Sequence, residues 1–427
     1  MHDDQPHSTW QAPAEEASSA EPGSVGWGFV AAYAACYTGL WMALLSPILV
    51  GLTLRVRVID PLHAAGSLSL VMSAGALLAM FGNPFFGQLS DRTTSRFGMR
   101  RPWLIVGALG GLVGLALVAQ AVSIPQLLLG WCITQLAFNA QLAALVAILS
   151  DQVPRHQRGT VSGVVGISMP VGMVGGTFLV QMLADSTLAM FLVPGALAVV
   201  SALGLAWVLP DRTLPAGTHP RYALRDFLGS FWIRLWRFPD FGWAWSSRFL
   251  FFAGVSVLLT YQGFYLITQL GRAPAEVAHL ILLSTLVQSG ALVIFSGVVG
   301  RWSDAIGRRK VFVSTAALIY TLALLVIAFA DSYGGFLLGM AISGAGQGMY
   351  QAVDLALVTD VLPQRETHAA RNLGIFNIAS VMPQSLVPAL APLILVASHG
   401  TYTALFVVAA GLVALGAWAI QPVRAVR

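Results

Sequence analysis

Long apolar runs separated by short polar connectors follow one another along the chain from Trp27 onward. A helix needs about 20 mostly apolar residues to cross the hydrocarbon core of a bilayer. Twelve runs reach that length, and we number them as spans one to twelve. They begin near Trp27, Ala64, Pro102, Pro125, Arg158, Leu188, Ala244, Ala275, Lys310, Tyr333, Arg371 and Thr401. The pattern predicts an all-α membrane protein with twelve transmembrane helices.

Two polar segments interrupt this pattern. Residues 1–26 carry five acidic residues without Lys or Arg, and lack the basic start of a signal peptide, so we expect a disordered cytoplasmic tail. Residues 210–243 carry five arginines and read as a cytoplasmic linker, with an amphipathic surface helix at Leu224–Trp236. The remainder divides into an N-terminal six-helix bundle at 27–209, a C-terminal six-helix bundle at 244–421 and a cytoplasmic tail at 422–427.

Composition narrows the function classes. The chain is 57% hydrophobic and 10% charged, whereas soluble domains carry about 25% charged residues. Because an ionised group in hydrocarbon is costly, this balance argues against a soluble enzyme and a nucleic-acid-binding protein. Cys36 and Cys132 lie in apolar runs and read as buried small side chains. A P-loop, a His/Cys metal spacing and a Gly-x-Ser-x-Gly motif are all missing, so we expect no enzyme activity, no cofactor and no metal.

The arginines indicate the orientation in the membrane. Most of the 23 basic residues lie in the connectors after even-numbered spans and at the C-terminus. The connectors after odd-numbered spans, on the other face of the membrane, have only Arg55, Arg57 and Arg272 in or beside them. Since positively charged loops stay inside, we predict a multi-pass protein of the cytoplasmic membrane with both termini cytoplasmic. We expect it to be a monomer.

The two halves of the chain repeat each other. GQLSD at 87–91 matches GRWSD at 300–304, 213 residues later. After a four-residue insertion in the first copy, GMRR at 98–101 matches GRRK at 307–310, 209 residues later. The same separation relates Asp151 and Pro154 to Asp360 and Pro363. Internal duplication of this kind is typical of secondary transporters and predicts two pseudo-symmetric bundles.

The segment GQLSDRTTSRFGMRRPW at 87–103 resembles the loop 2–3 signature of the major facilitator superfamily. Its long form resembles the glycoside–pentoside–hexuronide cation symporters and the related sucrose transporters. DVLP at 360–363 and GIFNIASVMPQ at 374–384 are similar to spans ten and eleven of that group. Met99 departs from the group, which usually has a basic residue there. The resemblance covers the chain from Trp27 and implies the major facilitator fold and transport by alternating access.

Charged residues around the connectors predict a cytoplasmic latch. Asp91 and Asp304 each end a span on the face where spans five and eleven begin, and helix N-termini carry partial positive charge. By the repeat, Asp91 faces the start of span eleven and Asp304 the start of span five near Gly159, which locks the bundles together while that side is closed. We also expect Asp151 to pair with Arg158. The alternative is a set of solvated topology charges. The latch comprises Gly87, Asp91, Arg92, Arg96, Arg100, Arg101, Asp151, Arg158, Asp304, Arg308 and Asp360.

The resemblance implies that spans one, four, seven and ten line the central cavity, and each of them carries polar and aromatic residues three or four apart. Such residues share one helix face, and that face avoids lipid. For any one residue the alternative is a hydrogen bond between helices. The predicted cavity residues are Tyr33, Tyr37, Trp41, Gln135, Asn139, Tyr261, Gln262, Tyr265, Gln269, Gln347, Tyr350 and Gln351. A nearly uncharged lining suits a neutral hydroxylated solute, although a hydrophobic drug could also bind there.

Asp354 is an acid well inside span ten, and Arg248 lies at a similar depth in span seven. Two interpretations remain open for these residues. They form a permanent buried ion pair, or the pair opens during transport and Asp354 takes a proton in a poorly solvated site.

Three functions follow from these patterns. The leading hypothesis is a secondary transporter that imports a sugar or glycoside together with protons. The first alternative is an exporter of a drug or metabolite on the same fold. The second is a membrane receptor or lipid-handling protein that transports nothing.

Overall fold

The computed structural model describes residues 24–154, 156–211, 213, 238–306, 309–361 and 365–423, and regular secondary structure within them is helical throughout. The helices form twelve spans, which confirms the predicted fold class. The spans are Trp27–Ile59, Ala64–Asp91, Arg101–Gln120, Ile124–Gln152, Arg158–Met182, Thr187–Val208, Pro239–Thr268, Pro274–Ile306, Arg309–Ala328, Tyr333–Val361, Arg365–Ala397 and Tyr402–Ala419.

Ten spans begin within one residue of the predicted position, and two begin earlier. Span seven starts at Pro239 rather than Ala244, and span eleven starts at Arg365 rather than Arg371. Both helices therefore begin before the apolar run that the prediction used. In span seven a proline near the first position and Asp240 in the first turn favour the earlier start. The expected surface helix at Leu224–Trp236 and most of both tails lie outside the described residues.

Eleven of the described helices are long and apolar enough to cross a membrane. The exception is span ten, a helix of 29 residues that carries six glycines, two glutamines and Asp354. Its glycines allow close packing: a Cβ at Gly344 or Gly348 would overlap the backbone of span eight, at Gln288 and Leu292 respectively. The polar composition of span ten follows from its position, because it packs against helices on several sides.

The packing of the helices repeats in the two halves. Span one packs on spans five and six, spans two and three pack on span four, and span three packs on span six. Adding six to each number gives the main contacts of the C-terminal half. The bundles meet through spans two and eleven and through spans five and eight, two contacts that a pseudo-two-fold axis exchanges. The duplication seen in the sequence is therefore present in the packing.

Span one is not a uniform helix. Its central turn, Pro47–Gly51, is π-helical and separates helices Trp27–Ser46 and Leu52–Ile59. A proline lacks the amide hydrogen that a regular helix uses, and single π-turns are frequent at functional sites. Ile48 of this turn lies in the wall of the central cavity.

Candidate substrate cavity

The two bundles enclose a cavity of about 360 Å³, which we call the main cavity. This volume lies within the range of about 300–1,000 Å³ that is usual for small-molecule sites. Spans one, two, four, five, seven and eleven contribute its walls, and none of the described lining side chains is charged. The polar lining residues are Trp41, Asn83, Gln135, Asn139, Ser256, Thr260, Asn377 and Gln384.

Two carboxamides of span four are placed one helical turn apart in this wall. The side-chain nitrogen of Asn139 donates to the backbone carbonyl oxygen of Gln135 at 2.8 Å, which leaves the side-chain oxygen of Asn139 for another partner. The side-chain oxygen of Gln135 is buried and accepts no hydrogen bond within the described part of the chain. A buried acceptor without a donor costs about 1–3 kcal/mol.

Five of the twelve predicted cavity residues lie beside an internal space. Trp41, Gln135 and Asn139 line the main cavity. Gln347 and Gln351 line a smaller adjoining space of about 50 Å³.

Tyr33 and Tyr37 lie inside the N-terminal bundle and away from the main cavity. The Tyr33 hydroxyl donates to the Leu145 carbonyl oxygen at 2.6 Å, which joins spans one and four. Its ring stacks on Phe29 with centroids 5.9 Å apart and meets Tyr37 edge-on at 5.2 Å. Tyr33 thus forms a hydrogen bond between helices, which was the alternative to a place in the cavity wall.

Several span seven and span ten residues pack within the C-terminal bundle. The Tyr265 hydroxyl donates to the carbonyl oxygens of Ile327 and Ala330. Tyr350 stacks on Phe251, with ring centroids 3.8 Å apart. Two of the predicted cavity glutamines also lie outside the cavity lining. Gln262 is buried with its side-chain oxygen lacking a described partner, and Gln269 is exposed at the end of span seven.

Tyr261 closes the main cavity at one end. Its hydroxyl and that of Ser69 hydrogen-bond at 2.6 Å, which joins span seven to span two of the other bundle. The same hydroxyl lies 3.4 Å from the Pro388 carbonyl oxygen of span eleven. We call the face of the arginine-bearing connectors the arginine-rich face and the other one the opposite face. The contact between Tyr261 and Ser69 lies on the opposite face, which carries the connector between spans one and two.

Two more hydrogen bonds join the bundles near the opposite face. The Ser385 hydroxyl of span eleven donates to the Ser73 carbonyl oxygen of span two at 2.9 Å. Gln181 of span five lies 3.0 Å from the His279 Nδ1 atom of span eight. Together with Tyr261 they close both seams between the bundles on this side.

Three glycines on the arginine-rich face have no close neighbour among the described residues. A Cβ added at Gly87 of span two, or at Gly159 or Gly163 at the start of span five, would meet no atom of the described part of the chain within 4 Å. These surfaces are the ones that the predicted latch covers. The described residues therefore close the cavity at the opposite face and leave Gly87, Gly159 and Gly163 uncovered.

Arg100 organises the described latch residues into one cluster. Its guanidinium contacts Asp91 at 2.6 Å and Asp151 at 2.8 Å, and donates to the Ser90 hydroxyl at 2.8 Å. Arg100 is 3% exposed, whereas the Asp91 side chain is 58% exposed. Asp91 is thus held by its own bundle here.

Asp151 does not pair with Arg158 as the sequence suggested. The Arg158 guanidinium donates to the carbonyl oxygens of Ser150 and Val153 at the end of span four. The last carbonyls of a helix carry partial negative charge and no internal partner, so they compete with a carboxylate for this arginine. Asp151 therefore forms its ion pair with Arg100.

Asp211 also belongs to this cluster, and the sequence pattern did not predict it. Its carboxylate accepts from the backbone N–H groups of Arg100 and Arg101 at 2.7 and 2.8 Å. These N–H groups lie at the start of span three, where an acid is favourable. Arg101 donates to the Leu209 carbonyl oxygen, and Gly98 has φ +105°. The position of Asp211 as the first acid after span six is the only signal that the sequence offers.

The remaining latch residues are spread along the same face. The Arg96 guanidinium lies 4.8 Å from the Phe97 ring centroid, and Arg92 directly follows span two. Asp304 and Asp360 lie in the last turns of spans eight and ten, with side chains outside the described part of the chain. Arg308 also lies outside it.

Arg248 and Asp354 form the expected ion pair within the C-terminal bundle, and each side chain is 14% exposed. Arg248 also donates to the Ser380 hydroxyl of span eleven at 3.2 Å. Its guanidinium lies over the Phe252 and Phe376 rings, at 5.4 and 5.0 Å from their centroids. Cation–π contacts and hydrogen bonds thus supplement the charge pairing.

Two pseudo-symmetric six-helix bundles around an uncharged cavity that is closed at one face define a membrane transport protein for small molecules. The chain belongs to the Major Facilitator Superfamily, whose family model matches residues 28–292 and 244–426. It is therefore a multi-pass secondary transporter and not an enzyme.

The curated relatives with long matches are transporters of the same superfamily. An uncharacterized MFS-type transporter of Mycobacterium tuberculosis (strain CDC 1551 / Oshkosh) is 28% identical over 378 residues, which covers 85% of this chain and 77% of the relative. Two sugar transporters match shorter segments. Proton-associated sugar transporter A of Homo sapiens is 48% identical over 50 residues, or 12% of this chain and 7% of that protein. A sucrose transport protein of Arabidopsis thaliana is 28% identical over 126 residues, or 25% of each chain.

Solved structures share the fold at low sequence identity. A variant of the nucleoside transporter NupG has a TM-score of 0.73 at 14% identity, covering 92% of this chain and 100% of NupG. A D-xylose-proton symporter has a TM-score of 0.70 at 17% identity, covering 93% of this chain and 98% of the symporter. These neighbours establish the architecture.

Proposed function

We propose that this transporter moves a small neutral polyhydroxylated solute, a sugar or a glycoside, by alternating access. The observation that carries the proposal is the uncharged main cavity, whose wall contains carboxamides from both bundles together with the Trp41 indole. A carboxamide both donates and accepts hydrogen bonds, as a sugar hydroxyl does. Gln135 and Asn139 supply these groups from span four, and Asn377 and Gln384 supply them from span eleven. A charged solute would find no described counter-charge there.

The shorter sequence matches support the same substrate class. The human relative is described as a proton-associated sugar transporter and the Arabidopsis relative as a sucrose transport protein. The loop 2–3 segment at 87–103 resembles the glycoside–pentoside–hexuronide and sucrose transporter group. Because the structural neighbours include a nucleoside transporter and a D-xylose-proton symporter, the chemistry of the cavity carries more weight than the fold.

The arginine-rich face is the cytoplasmic one in this proposal, since basic connectors stay inside. Both termini are then cytoplasmic, and the structure represents an inward-facing state with its outer gate closed. Fusion of a fluorescent protein, which matures only in the cytoplasm, to the C-terminus tests this orientation. We expect fluorescence for the C-terminal fusion and none for a matched fusion after Leu62 in the first connector.

The Arg248–Asp354 pair is the proposed site of proton coupling. The ion pair is stable while the two groups touch, because each compensates the charge of the other. Separation of spans seven and ten would leave Asp354 in a poorly solvated site, where the neutral acid is favoured. Proton uptake would then accompany one step of the transport cycle.

Uptake by the purified protein in liposomes tests the substrate class. We expect saturable uptake of at least one labelled sugar among glucose, xylose and sucrose, and none of uridine or ethidium. Asn139→Ala should lower sugar uptake at least tenfold, because it removes a cavity carboxamide. Gln120→Ala is the matched control, since this exposed carboxamide ends span three outside the cavity. Uptake of uridine or ethidium without sugar uptake contradicts the proposal.

A drug or metabolite exporter is the second candidate, and one observation favours it. The main cavity also contains Met72, Met80 and Met169, and methionine-rich walls adapt to varied apolar ligands. Accumulation of ethidium in cells that rises when the proton gradient is collapsed would support export. Sugar binding without flux would instead indicate a receptor.

A further inference from the structure

A small lobe of about 50 Å³ adjoins the main cavity at the seam between spans five and eight. The two spaces share Leu45, Met169 and Leu259 in their walls and therefore lie next to each other. The polar wall of the lobe consists of Gln288, Ser289, Gln347 and Gln351.

The lobe has two chemically different sides. All four polar side chains belong to spans eight and ten of the C-terminal bundle. The facing wall from span five is apolar and contains Met169, Pro170 and Met173. A group that enters the lobe is therefore hydrogen-bonded from one bundle and packed by the other.

Two of the carboxamides are available to a ligand. The Gln288 amide nitrogen donates to the Ser343 hydroxyl at 3.2 Å, which fixes that side chain. Gln347 is 8% exposed, and neither it nor Gln351 hydrogen-bonds to any residue in the described part of the chain. A ligand hydroxyl can therefore exchange hydrogen bonds with these two side chains.

The size of the lobe limits what it can hold. A water molecule needs roughly 10–15 Å³ of such space, so the lobe accommodates a few waters or a substituent of similar size. A second sugar ring does not fit. A hydroxymethyl group fits, and its hydroxyl can both donate to and accept from a carboxamide.

We propose that the small lobe receives a hydroxymethyl group of the transported sugar and that Gln347 and Gln351 select for it. This inference rests on the proposed sugar transport. A site built to hydrogen-bond a hydroxyl rejects an analogue that lacks it, because its own polar groups are left unpaired. The lobe thus makes the transporter prefer hexose-derived over pentose-derived solutes.

Binding of two matched glycosides tests the assignment. Methyl β-D-glucoside and methyl β-D-xyloside differ only in the hydroxymethyl group, and sucrose serves as a third probe. We expect the purified protein to bind the glucoside at least tenfold more tightly than the xyloside, measured by titration calorimetry. Gln347→Met and Gln351→Met retain side-chain length, and each should weaken glucoside binding while leaving xyloside binding unchanged.

Controls separate the two proposals. Gln120→Met alters an exposed carboxamide and should preserve the preference. Should the buried Gln347→Met variant fail to fold, the exposed Gln351 side chain provides the second variant. Equal affinity of the unmodified protein for both glycosides, or equal weakening of both by the variants, overturns the lobe assignment and leaves sugar transport standing. Binding of none of the three probes contradicts the proposed function itself.

Discussion

The hydroxyl groups of Ser69 and Tyr261 lie 2.6 Å apart and join span two of one bundle to span seven of the other. Both residues are buried, and their contact lies between the main cavity and the opposite face. This hydrogen bond between the bundles must break before the opposite face can open. The pair is therefore an element of the gate that alternating access requires.

Tyr261→Phe should shift the protein toward the state that is open at the opposite face. The variant keeps the ring, which packs 6.3 Å from Tyr402, and removes the hydroxyl. A hydrogen bond contributes about 1 kcal/mol net, so we expect roughly a fivefold shift in the population ratio. The measurement is labelling of Ser256→Cys, in a background without other cysteines, by an impermeant maleimide added at the opposite face.

Tyr333→Phe is the matched control for that experiment. Its hydroxyl donates to the Leu280 carbonyl oxygen at 2.7 Å, and both residues belong to the same bundle. Labelling should stay at the unmodified level in this control. Equal labelling rates for Tyr261→Phe and the unmodified protein would remove Tyr261 from the gate.

Asp91→Asn should fold normally and transport slowly. The side chain is 58% exposed, and exposed ion pairs contribute about 0–1 kcal/mol to stability. The variant loses the charge that we expect to meet the start of span eleven in the other state. We expect uptake to fall at least fivefold with substrate affinity in detergent unchanged.

Asp151→Asn distinguishes the latch from the Arg100 cluster. Asp151 contacts the same guanidinium but is not expected to reach span eleven. If both variants slow transport equally, loss of the contact with Arg100 explains the effect and the latch assignment to Asp91 is wrong.

Arg100→Ala should destabilise the N-terminal bundle. Arg100 is 3% exposed and contacts Asp91, Asp151 and Ser90. Its removal leaves the fully buried Ser90 hydroxyl without this partner, and a buried polar group left unpaired costs about 1–3 kcal/mol. We expect little monodisperse protein in size-exclusion chromatography. Arg96→Ala, at an exposed position beside Phe97, should behave like the unmodified protein, and similar profiles for both variants would contradict this role.

Asp354→Asn should uncouple transport from the proton gradient. In proteoliposomes with an imposed pH gradient, accumulation of the sugar should disappear while counterflow exchange continues, because asparagine cannot take up a proton. Asp151→Asn removes another arginine-paired carboxylate and should retain some accumulation. Full accumulation by folded Asp354→Asn would make Asp354 a structural partner of Arg248.

Gly107→Ala should destabilise the N-terminal bundle. A Cβ at this position would lie 2.7 Å from the Ala137 carbonyl oxygen, so spans three and four would have to separate. Overpacking of this kind costs about 1–3 kcal/mol. The melting temperature in detergent should fall, whereas Gly204→Ala, with nothing within 4 Å, should leave it unchanged or slightly higher. Equal melting temperatures would contradict close packing at Gly107.

The twelve spans and their repeat could be predicted from the sequence because the bilayer restricts the choices. Each crossing segment must satisfy its backbone internally, which leaves a helix of about 20 apolar residues. Ten predicted starts therefore lie within one residue of the observed ones. The ion pair of Arg248 and Asp354 was also predictable, since a charge inside a span needs a partner at the same depth.

Only the tertiary structure decided which polar residues face the main cavity. Tyr33 and Trp41 share one helix face by their spacing, yet Trp41 lines the cavity and Tyr33 donates to Leu145. A span inside a bundle can satisfy a polar group either on a neighbouring helix or in a cavity, and spacing along one helix does not distinguish them. Asn83 and Asn377, from spans two and eleven, were missed for the same reason.

The partners of Arg100 were also decided by the tertiary structure. The sequence places charged residues on one membrane face, because basic connectors and helix ends follow simple electrostatic rules. It does not assign the pairs: Asp151 contacts Arg100 instead of Arg158, and Asp211 reaches the start of span three. Pairing depends on distances of a few ångströms between groups far apart in the chain. Those distances are set by how the twelve helices pack.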